Sequence, residues 1–411
     1  MDSAYGNSSS QDRIRRVLIV AGNYPPHIVG GGEIATRIMA EWFATNGTEV
    51  RVVTCGRAEL IETRNGVSIE SVVSPNIYWR FDQPRRPLHE KAVFQSLDNY
   101  NPRTIRTLSA AIGRFNPDIV VTSILENFGT GAWLAAKRAN VPVVDIIHGY
   151  YLQCIKASRF RAGRNCVSRC ISCQIATVGK KYFSRHVDGV IGVSRYVLEA
   201  HISEGYYPNA YPGYIYNPIE KIVERPRSTF RSAVPTFGYL GKIQATKGVE
   251  ELVRTFSSGA LNDCALLIAG DGELDYENKL RKIADPERIE FLGWTDPGRL
   301  FERIDFLIFP SLWNEPFGRG IAEAMGQAIP VLGAKRGGIT ELINPAQDGF
   351  LYDPAVPGEL EKAVEKARAA DYAALSRNAL KKSASYSISA IMTQYLAFFD
   401  NIVRRAKSAA I

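Results

Sequence analysis

The chain has little cysteine, methionine and histidine, and it lacks any long uninterrupted apolar run. No stretch of its 411 residues approaches the roughly 18 to 20 consecutive apolar residues that a membrane-spanning helix needs. The first 13 residues are polar and serine-rich, without the apolar core of a secretory signal. We therefore expect a disordered leader over residues 1–13 and a cytoplasmic protein.

Chain length and net charge further narrow the class of protein. A chain of 411 residues exceeds what one hydrophobic core usually supports, so we expect two large domains. Fifty Lys and Arg against 42 Asp and Glu give a net charge of +8. This excess favours anionic partners, which could be nucleotide phosphates, phospholipid headgroups or nucleic acid. Charge alone does not choose among them.

Apolar runs rich in Val and Ile alternate with helical patterns along the chain, which is typical of parallel strands buried on both faces. The predicted strands of the first half are 17–21, 50–54, 119–122, 141–147 and 189–193. Those of the second half are 236–241, 265–270, 289–293, 305–309 and 331–333. The pattern predicts an α/β protein with two Rossmann-like doubly wound domains, over 14–218 and 236–388, joined by a proline-containing charged linker at 219–235.

The most informative segment is the loop and helix that follow the predicted strand 305–309. Glu315 lies in a turn with the backbone amides of Phe317 and Gly318, and Glu323 lies in a helix predicted from about Gly320. The first N–H groups of a helix have no partner within the helix, and its dipole favours negative charge. The segment therefore predicts a site for the diphosphate of a nucleotide, with two carboxylates beside it.

Two further loops have the chemistry of phosphate contacts. Lys242 and Lys247 lie five residues apart directly after strand 236–241, where two cations could straddle a diphosphate, although two lysines on a solvated turn are the plainer interpretation. Gly31 and Gly32 belong to a run of three glycines after the first strand, which allows close backbone approach and positive φ. The run does not follow the G-x-G-x-x-G dinucleotide fingerprint, so a nicotinamide cofactor is not expected, and Glu33 can cap the following helix.

These motifs, together with Pro330-Val-Leu, Arg336-Gly-Gly-Ile-Thr-Glu341 and Asp348-Gly349, resemble the C-terminal signature of the retaining GT-B glycosyltransferases of family four, also called glycosyl transferases group 1. The resemblance covers both domains and is strongest from Gly241 to Gly349. It implies the GT-B fold, with the two domains facing a central cleft. It also implies a final helix, 389–411, that returns to the first domain.

The resemblance assigns roles to the motif residues. It implies that Glu315 holds sugar hydroxyls, that Glu323 holds the ribose, and that Lys242 and Lys247 stabilise the departing diphosphate. Lys242 departs from the family, where arginine is more usual, and an ammonium cannot grip a phosphate bidentately. The implied donor-binding set is Gly31, Gly32, Lys242, Lys247, Gly293, Glu315, Phe317, Gly318 and Glu323. No metal or other cofactor is required for this chemistry, because the cations and helix amides replace the divalent ion of other folds.

His148 directly follows the predicted strand 141–147. A histidine in this place is more often structural than catalytic. Its position matches the histidine that the resembling family places beside the anomeric carbon, so His148 joins Glu315, Lys242 and Lys247 as a candidate catalytic residue. Gly149 stands where the family often has Asp, which puts its proton-transfer role in doubt.

A cysteine-rich insertion at 150–180 is the most unusual local feature. Cys154, Cys166, Cys170 and Cys173 have short spacings, but these are not those of a standard zinc finger. A structural zinc site, free thiols and a disulfide are all open interpretations, and an intracellular chain disfavours the disulfide.

The acceptor is the least defined part of the prediction. The segment 79–91 mixes aromatic and basic residues, as would a patch on an anionic membrane or a lipid-linked acceptor, and a solvated basic loop explains it equally well. The leading hypothesis is a retaining glycosyltransferase that uses a nucleoside-diphosphate sugar and a glycan, polysaccharide or glycolipid acceptor, either free in the cytoplasm or peripheral at the inner membrane face. The alternatives are a nucleotide-sugar epimerase of the same fold and a basic, zinc-stabilised polyanion-binding module. Nucleic acid is not an expected partner under the leading hypothesis.

Overall fold

The computed structural model describes residues 14–82 and 86–409. The leader predicted over 1–13 and part of the basic segment 79–91 lie outside these residues. The described chain forms two compact units. The first contains the chain up to Ala157, then Arg169–Ile215 and the chain from Met392; the second contains Ser158–Ser168 and Tyr216–Ile391.

The first unit is built on a mainly parallel sheet. Among the described residues its strand order is β10-β9-β6-β5-β1-β2-β4-β3, and only β3 pairs in the antiparallel direction. The central strands β1, β5 and β6 are almost completely buried, as continuous apolar runs require. Numbered in chain order, the strands are β1 (Arg16–Ala21), β2 (Glu49–Gly56), β3 (Leu60–Arg64), β4 (Val67–Val73), β5 (Ile119–Ser123), β6 (Val143–Ile147), β9 (Gly189–Gly192) and β10 (Tyr211–Tyr214).

Helices follow most of these strands. α3 shows how the sequence sets a helix start: Asn101 accepts a hydrogen bond from the backbone N–H of Arg103, and Pro102 occupies the first helical position. The helices of the first unit are α1 (Gly31–Thr45), α2 (Leu88–Asn99), α3 (Pro102–Phe115), α4 (Gly131–Arg138), α5 (Ile171–Ala176), α6 (Val178–Phe183) and α7 (Arg195–Ile202).

The second unit has a fully parallel sheet with the order β13-β12-β11-β14-β15-β16 in the described chain. A separate two-stranded hairpin, β7 (Phe160–Arg161) and β8 (Arg164–Asn165), also belongs to this unit. The order places β11 between β12 and β14, so the loop after β11 lies beside the loop after β14. The strands of the sheet are β11 (Thr236–Leu240), β12 (Ala265–Ala269), β13 (Ile289–Gly293), β14 (Phe306–Phe309), β15 (Val331–Ala334) and β16 (Gly349–Tyr352).

The helices of the second unit bury apolar faces against this sheet. The core includes Phe237, Val253, Phe256 and Phe306, all fully buried. The helices are α8 (Val249–Ser257), α9 (Leu274–Ile283), α10 (Pro297–Phe301), α11 (Arg319–Gly326), α12 (Ile339–Leu342), α13 (Glu359–Ala369) and α14 (Tyr372–Ser383). None of the helices in the described ranges combines the length and apolar character needed to cross a membrane.

The last helix, α15 (Ile388–Ala409), contributes its residues from Met392 onward to the first unit. A Cβ added at Gly213 of β10 would lie 2.7 Å from the ring of Phe398, and one at Gly189 of β9 would lie 2.8 Å from the side chain of Ile402. These two glycines therefore allow α15 to pack closely on the face of the sheet formed by its last two strands, β9 and β10.

Candidate functional site

The loops at the carboxyl edge of the second sheet form a continuous row. The backbone N–H of Gly270 donates to the carbonyl of Gly293 at 2.8 Å, and that of Gly241 donates to Ala269 at 3.1 Å. The loops after β13, β12 and β11 are thus joined side by side, and the loop after β14 comes next. Ligands of open parallel sheets bind at this edge.

The carboxylate of Glu315, in the loop after β14, is held in place by several hydrogen bonds. Its side chain is nearly buried, and Oε1 accepts hydrogen bonds from Lys247 Nζ at 2.6 Å, from Trp313 Nε1 at 2.7 Å and from the Ser311 hydroxyl. All three described bonds converge on this one oxygen. They fix the rotamer of Glu315 and leave Oε2 as the oxygen that a ligand hydroxyl can use.

Lys247 reaches Glu315 because its own loop packs closely on the loop after β14. The backbone N–H of Leu312 donates to the carbonyl of Thr246 at 2.9 Å. Gly248, with φ of 72°, passes so close to Pro310 that an added Cβ would lie 2.0 Å from its carbonyl oxygen. Only glycine fits this position, in conformation and in space. Lys242, by contrast, is exposed, so the structure brings only one of the two predicted lysines to the carboxylate.

The Arg336-Gly-Gly motif supports Glu315 from behind. Gly338 N–H donates to the carbonyl of Glu315 at 2.7 Å. Gly337 has φ of 58°, and a Cβ at this residue would lie 2.3 Å from the same carbonyl oxygen. The double glycine is therefore required by the close approach of the Glu315 backbone.

Glu323 lies on α11, which begins at Arg319, one residue before the predicted start. Gly318 precedes the helix with φ of 106°, and Phe317 is buried against the ring of Tyr216. Arg319 Nε lies 3.0 Å from Glu323 Oε1. Burial raises the pKa of the Glu323 carboxyl, although the nearby arginine opposes this shift.

In the first unit, the glycine run forms the start of α1. Gly31 is the first helical residue, and the carboxylate of Glu33 accepts the N–H of Gly30 at 3.0 Å, which confirms its predicted capping role. The suggestion that these glycines provide positive φ is wrong, because Gly30 is extended and Gly31 and Gly32 are helical. Gly32 has a steric reason instead, because a Cβ on this residue would lie 3.2 Å from the ring of His148.

His148 ends a short chain of hydrogen bonds. Thr36 Oγ1 lies 2.7 Å from Ser123 Oγ, which in turn lies 3.0 Å from His148 Nε2. The imidazole keeps some surface exposure but is densely enclosed, and this desolvation lowers the pKa of His148 to about 4. The ring is therefore neutral at pH 7 and can exchange hydrogen bonds with a ligand without adding charge.

The cysteine-rich insertion does not form the zinc site that was one of its interpretations. In the described ranges, no three His, Cys, Asp or Glu side chains are grouped so that they could hold a metal ion. All six cysteines are free. Burial raises the pKa of Cys173 to about 12, so the free Cys173 side chain is a neutral thiol at pH 7. The free-thiol interpretation is the one that agrees with the structure.

The aromatic part of segment 79–91 is also not a surface patch. Trp79 is buried, and its indole N–H donates to Asn23 Oδ1 at 3.0 Å while the ring of His27 packs against it. Residues 83–85 lie outside the described chain. Phe81 also packs against the rings of His27 and Trp79, so the described aromatic residues of this segment have a structural explanation.

Sequence reasoning missed several side chains that shape these sites. Ser311 and Trp313 lie within the quoted motif, but their bonds to Glu315 are visible only in the structure. Thr36 and Ser123 come from separate elements and have no local signal. Arg319 has the one sequence clue, since it precedes Glu323 by four residues on the same helix face.

Comparison with known proteins identifies this arrangement. Residues 29–221 match the family model described as Glycosyltransferase Family 4, and residues 234–369 match that described as Glycosyl transferases group 1. Together these matches cover most of the chain. The chain therefore belongs to the family-four glycosyltransferases, and its two parallel-sheet units have the GT-B fold.

Individual relatives are distant. The chain is 28% identical to an uncharacterized 42.6 kDa protein in the cps region of Klebsiella pneumoniae, over 79% of this chain and 87% of the relative. It is 21% identical to a GDP-mannose-dependent alpha-mannosyltransferase of Corynebacterium glutamicum, over 95% of this chain and 90% of that one. The crystal structure of HepE from Anabaena, in complex with UDP and glucose, superimposes with a TM-score of 0.67 at 19% identity and covers 92% of this chain and 97% of HepE.

Proposed function

We propose that the protein is a retaining, metal-independent hexosyltransferase that uses a nucleoside-diphosphate sugar. The observation that carries this proposal is the Lys247–Glu315 pair at the carboxyl edge of the second sheet. A fixed cation and a fixed carboxylate side by side match the two halves of such a donor, the charged diphosphate and the hydroxylated sugar. The UDP and glucose bound to HepE, and the GDP-mannose in the name of the mannosyltransferase, support a donor of this class.

In the proposed reaction the bond between the anomeric carbon and the β-phosphate oxygen breaks, and the acceptor oxygen bonds to the same carbon from the same face. The acceptor proton passes to the leaving diphosphate, so atoms and charge balance. Lys247, Lys242 and the first N–H groups of α11 stabilise the negative charge that grows on the diphosphate. Glu315 Oε2 orients sugar hydroxyls, and Glu323 accepts hydrogen bonds from the ribose hydroxyls.

His148 has a neutral role in this proposal. Because its pKa is about 4, it is not a proton donor of ordinary strength at pH 7. The neutral imidazole hydrogen-bonds a sugar hydroxyl, and Ser123 holds the ring in position. Gly31 and Gly32 present first-turn N–H groups of α1 to the diphosphate, and Gly293 borders the base.

The proposed acceptor is a glycan or a lipid-linked glycan, reached at an anionic membrane surface. Ile171, Ile175, Val178 and Tyr182 are 52–75% exposed and recur at the spacing of one helix face along α5 and α6. Residues 146–187 contain eight Lys and Arg and no acidic residue. An apolar stripe in an acid-free basic segment suits the headgroup region of an anionic bilayer.

Calorimetric titration with UDP, GDP, ADP and dTDP in metal-free buffer tests the donor site. We expect one diphosphate to bind the wild type, and Glu323→Ala to weaken that binding by about tenfold or more, because the ribose loses a charged hydrogen-bond acceptor. Glu365→Ala, which removes an exposed acidic residue of helix α13, serves as the control and should bind like the wild type. No binding of any diphosphate by the folded wild type contradicts the proposal.

Flotation with vesicles tests the membrane surface separately. Wild type should float with phosphatidylglycerol vesicles and not with phosphatidylcholine vesicles, and Ile171→Ser with Ile175→Ser should abolish flotation without changing diphosphate binding. Equal flotation of the double variant would exclude this surface.

A further inference from the structure

The hairpin of β7 and β8 is a well-defined element within the cysteine-rich insertion. Its two-residue turn, Ala162-Gly163, has φ of 50° and 76°, as a type I′ turn requires. At its base, Cys166 N–H donates to the carbonyl of Arg159 at 2.7 Å, and the Arg159 guanidinium donates to the carbonyl of Val167 at 3.2 Å. The hairpin is thus closed by its own bonds and can present a side chain in a fixed direction.

That side chain is Asn165, at the end of β8. Its Nδ2 donates to the carbonyl of Leu312 at 2.8 Å, and its Oδ1 accepts the N–H of Asn314 at 2.7 Å. The side-chain amide of Asn165 thus pairs with this backbone through one donor and one acceptor, as the backbone of a neighbouring strand does. The two bonds straddle Trp313, so they fix the peptide on each side of this residue.

Fixing Trp313 has a direct consequence for Glu315. The Trp313 indole N–H is one of the three donors to Glu315 Oε1, at 2.7 Å, and Lys247 Nζ lies 5.2 Å from the centre of a Trp313 ring. A change in the backbone at Trp313 would move the indole and release the carboxylate from the geometry that it shares with Lys247. Asn165 therefore acts on Glu315 through Trp313, without touching it.

We propose that Asn165 is a positioning residue for the sugar half of the donor. The inference rests on the proposed function, because it assigns Glu315 to the sugar hydroxyls. It follows that the hairpin controls sugar recognition and turnover, while the nucleoside diphosphate binds through other groups. The insertion then has a role in donor specificity that none of its cysteines explains.

The experiment compares diphosphate with sugar nucleotide. For Asn165→Ala we expect the Kd of UDP or GDP, whichever binds the wild type, to stay within about twofold. We expect kcat for UDP-glucose or GDP-mannose to fall by about tenfold to a hundredfold, since a displacement of about 1 Å at a reacting centre has effects of this size. Asn165→Asp should be at least as impaired, because its carboxylate faces the Leu312 carbonyl. Asn378→Ala, which removes an exposed asparagine whose amide likewise donates to a backbone carbonyl, that of Gln347, should match the wild type.

A double-mutant cycle distinguishes positioning from a general structural effect. Trp313→Phe keeps an aromatic ring but removes the N–H, and should reduce kcat with diphosphate binding retained. If Asn165 acts through Trp313, adding Asn165→Ala to Trp313→Phe should cost far less than it costs alone, whereas independent effects multiply. Should Asn165→Ala not fold, Asn165→Ser, which retains one hydroxyl, takes its place in the cycle.

The outcomes separate the two proposals. Two results would overturn the positioning role alone, provided that the wild type binds and turns over a sugar nucleotide. In one, Asn165→Ala behaves like the wild type. In the other, the effects of Asn165→Ala and Trp313→Phe multiply in the double variant. Loss of diphosphate binding in Asn165→Ala, with the fold intact by circular dichroism, also overturns it. A folded wild type that binds no diphosphate overturns the proposed function, and the positioning role with it.

Discussion

The candidate residues of the two units differ in how they carry charge. In the second unit, Lys247 and Glu315 form an ion pair with the side chains largely excluded from water. In the first unit, Thr36, Ser123 and His148 form a chain that is neutral at pH 7. The two parallel-sheet units thus hold two kinds of candidate group, a charged pair in the second unit and a neutral hydrogen-bonded chain in the first.

The difference also concerns what each site contributes to folding. A partly buried ion pair adds little net stability, but removing one partner leaves a charge without compensation. A histidine that is buried in its neutral form lowers the stability of the protein once the pH falls far enough to protonate the ring. We therefore expect the second unit to respond to changes in side-chain charge and the first to respond to pH.

The largest effect should come from Lys247→Ala. The substitution removes the cation proposed to stabilise the leaving diphosphate and leaves Glu315 unpaired, so kcat/KM should fall by about a hundredfold to a thousandfold. Lys279→Ala is the matched control, because Lys279 also pairs with a glutamate, Glu250, but in an exposed position. Steady-state assays with the sugar nucleotide measure both. Similar losses in the two variants would contradict the special status of the Lys247 pair.

Gly337→Ala should be the most destabilising of the predicted changes. Alanine at this positive φ is strained, and its Cβ would also collide with the carbonyl of Glu315, so we expect a loss of about 3 kcal/mol in the free energy of unfolding. Gly358→Ala isolates the strain, since Gly358 has φ of 77° with open space around its Cβ, and should cost about 1 kcal/mol. Urea denaturation measures both. Equal losses would mean that the close approach at Glu315 is unimportant.

The first unit should lose stability in acid through His148. Its pKa is about 4 in the folded protein against an ordinary 6.5, so the unfolded chain binds more protons between these values and stability falls as pH falls from 6.5 to 4. This difference in pKa corresponds to a loss of about 3 kcal/mol in the free energy of unfolding. Asp98 and Asp145, whose pKa values burial raises to about 6, act in the opposite direction.

The difference between wild type and His148→Asn isolates the histidine, because both aspartates remain in the variant. Denaturation at several pH values should show the two stabilities approaching each other as pH falls through this window. A difference that does not change with pH would show that His148 is not buried in its neutral form.

The smallest effect should come from metal removal. With no metal-binding group among the described residues, chelation should change Tm by less than about 1 °C. Elemental analysis of the untreated protein should find far less than one zinc per chain. One zinc per chain, with a lower Tm after chelation, would restore the zinc interpretation.

The sequence predicted well those strands that are continuous apolar runs, because such runs have few alternatives. It missed β4, a mostly buried strand that mixes polar and apolar residues, and the β7–β8 hairpin. It also missed the exposed edge strands β3 and β10 and the short β16, whose pairing with β15 depends on the sheet already being present. Short edge strands are stabilised by their neighbours more than by their own residues. Their positions therefore could not be found from local pattern.

The sequence likewise predicted only part of the candidate site. The motif indicated Lys247 and Glu315, and the structure places them in contact. The bonds from Asn165 to the backbone around Trp313 join residues 147 and 149 positions apart, in segments with no pattern in common. The neutral state of His148 also depends on its surroundings, which no spacing rule describes. Local sequence thus identified the chemical groups but not what holds them.

The packing of α15 on Gly189 and Gly213 has a consequence for synthesis on the ribosome. All sheet strands of the first unit have been made by residue 214, yet Phe398 and Ile402 are made only after the entire second unit. The sheet face over β9 and β10 therefore stays without its covering helix until nearly two hundred further residues have been translated. A nascent chain arrested within that interval therefore lacks the helix that packs on these glycines in the complete fold.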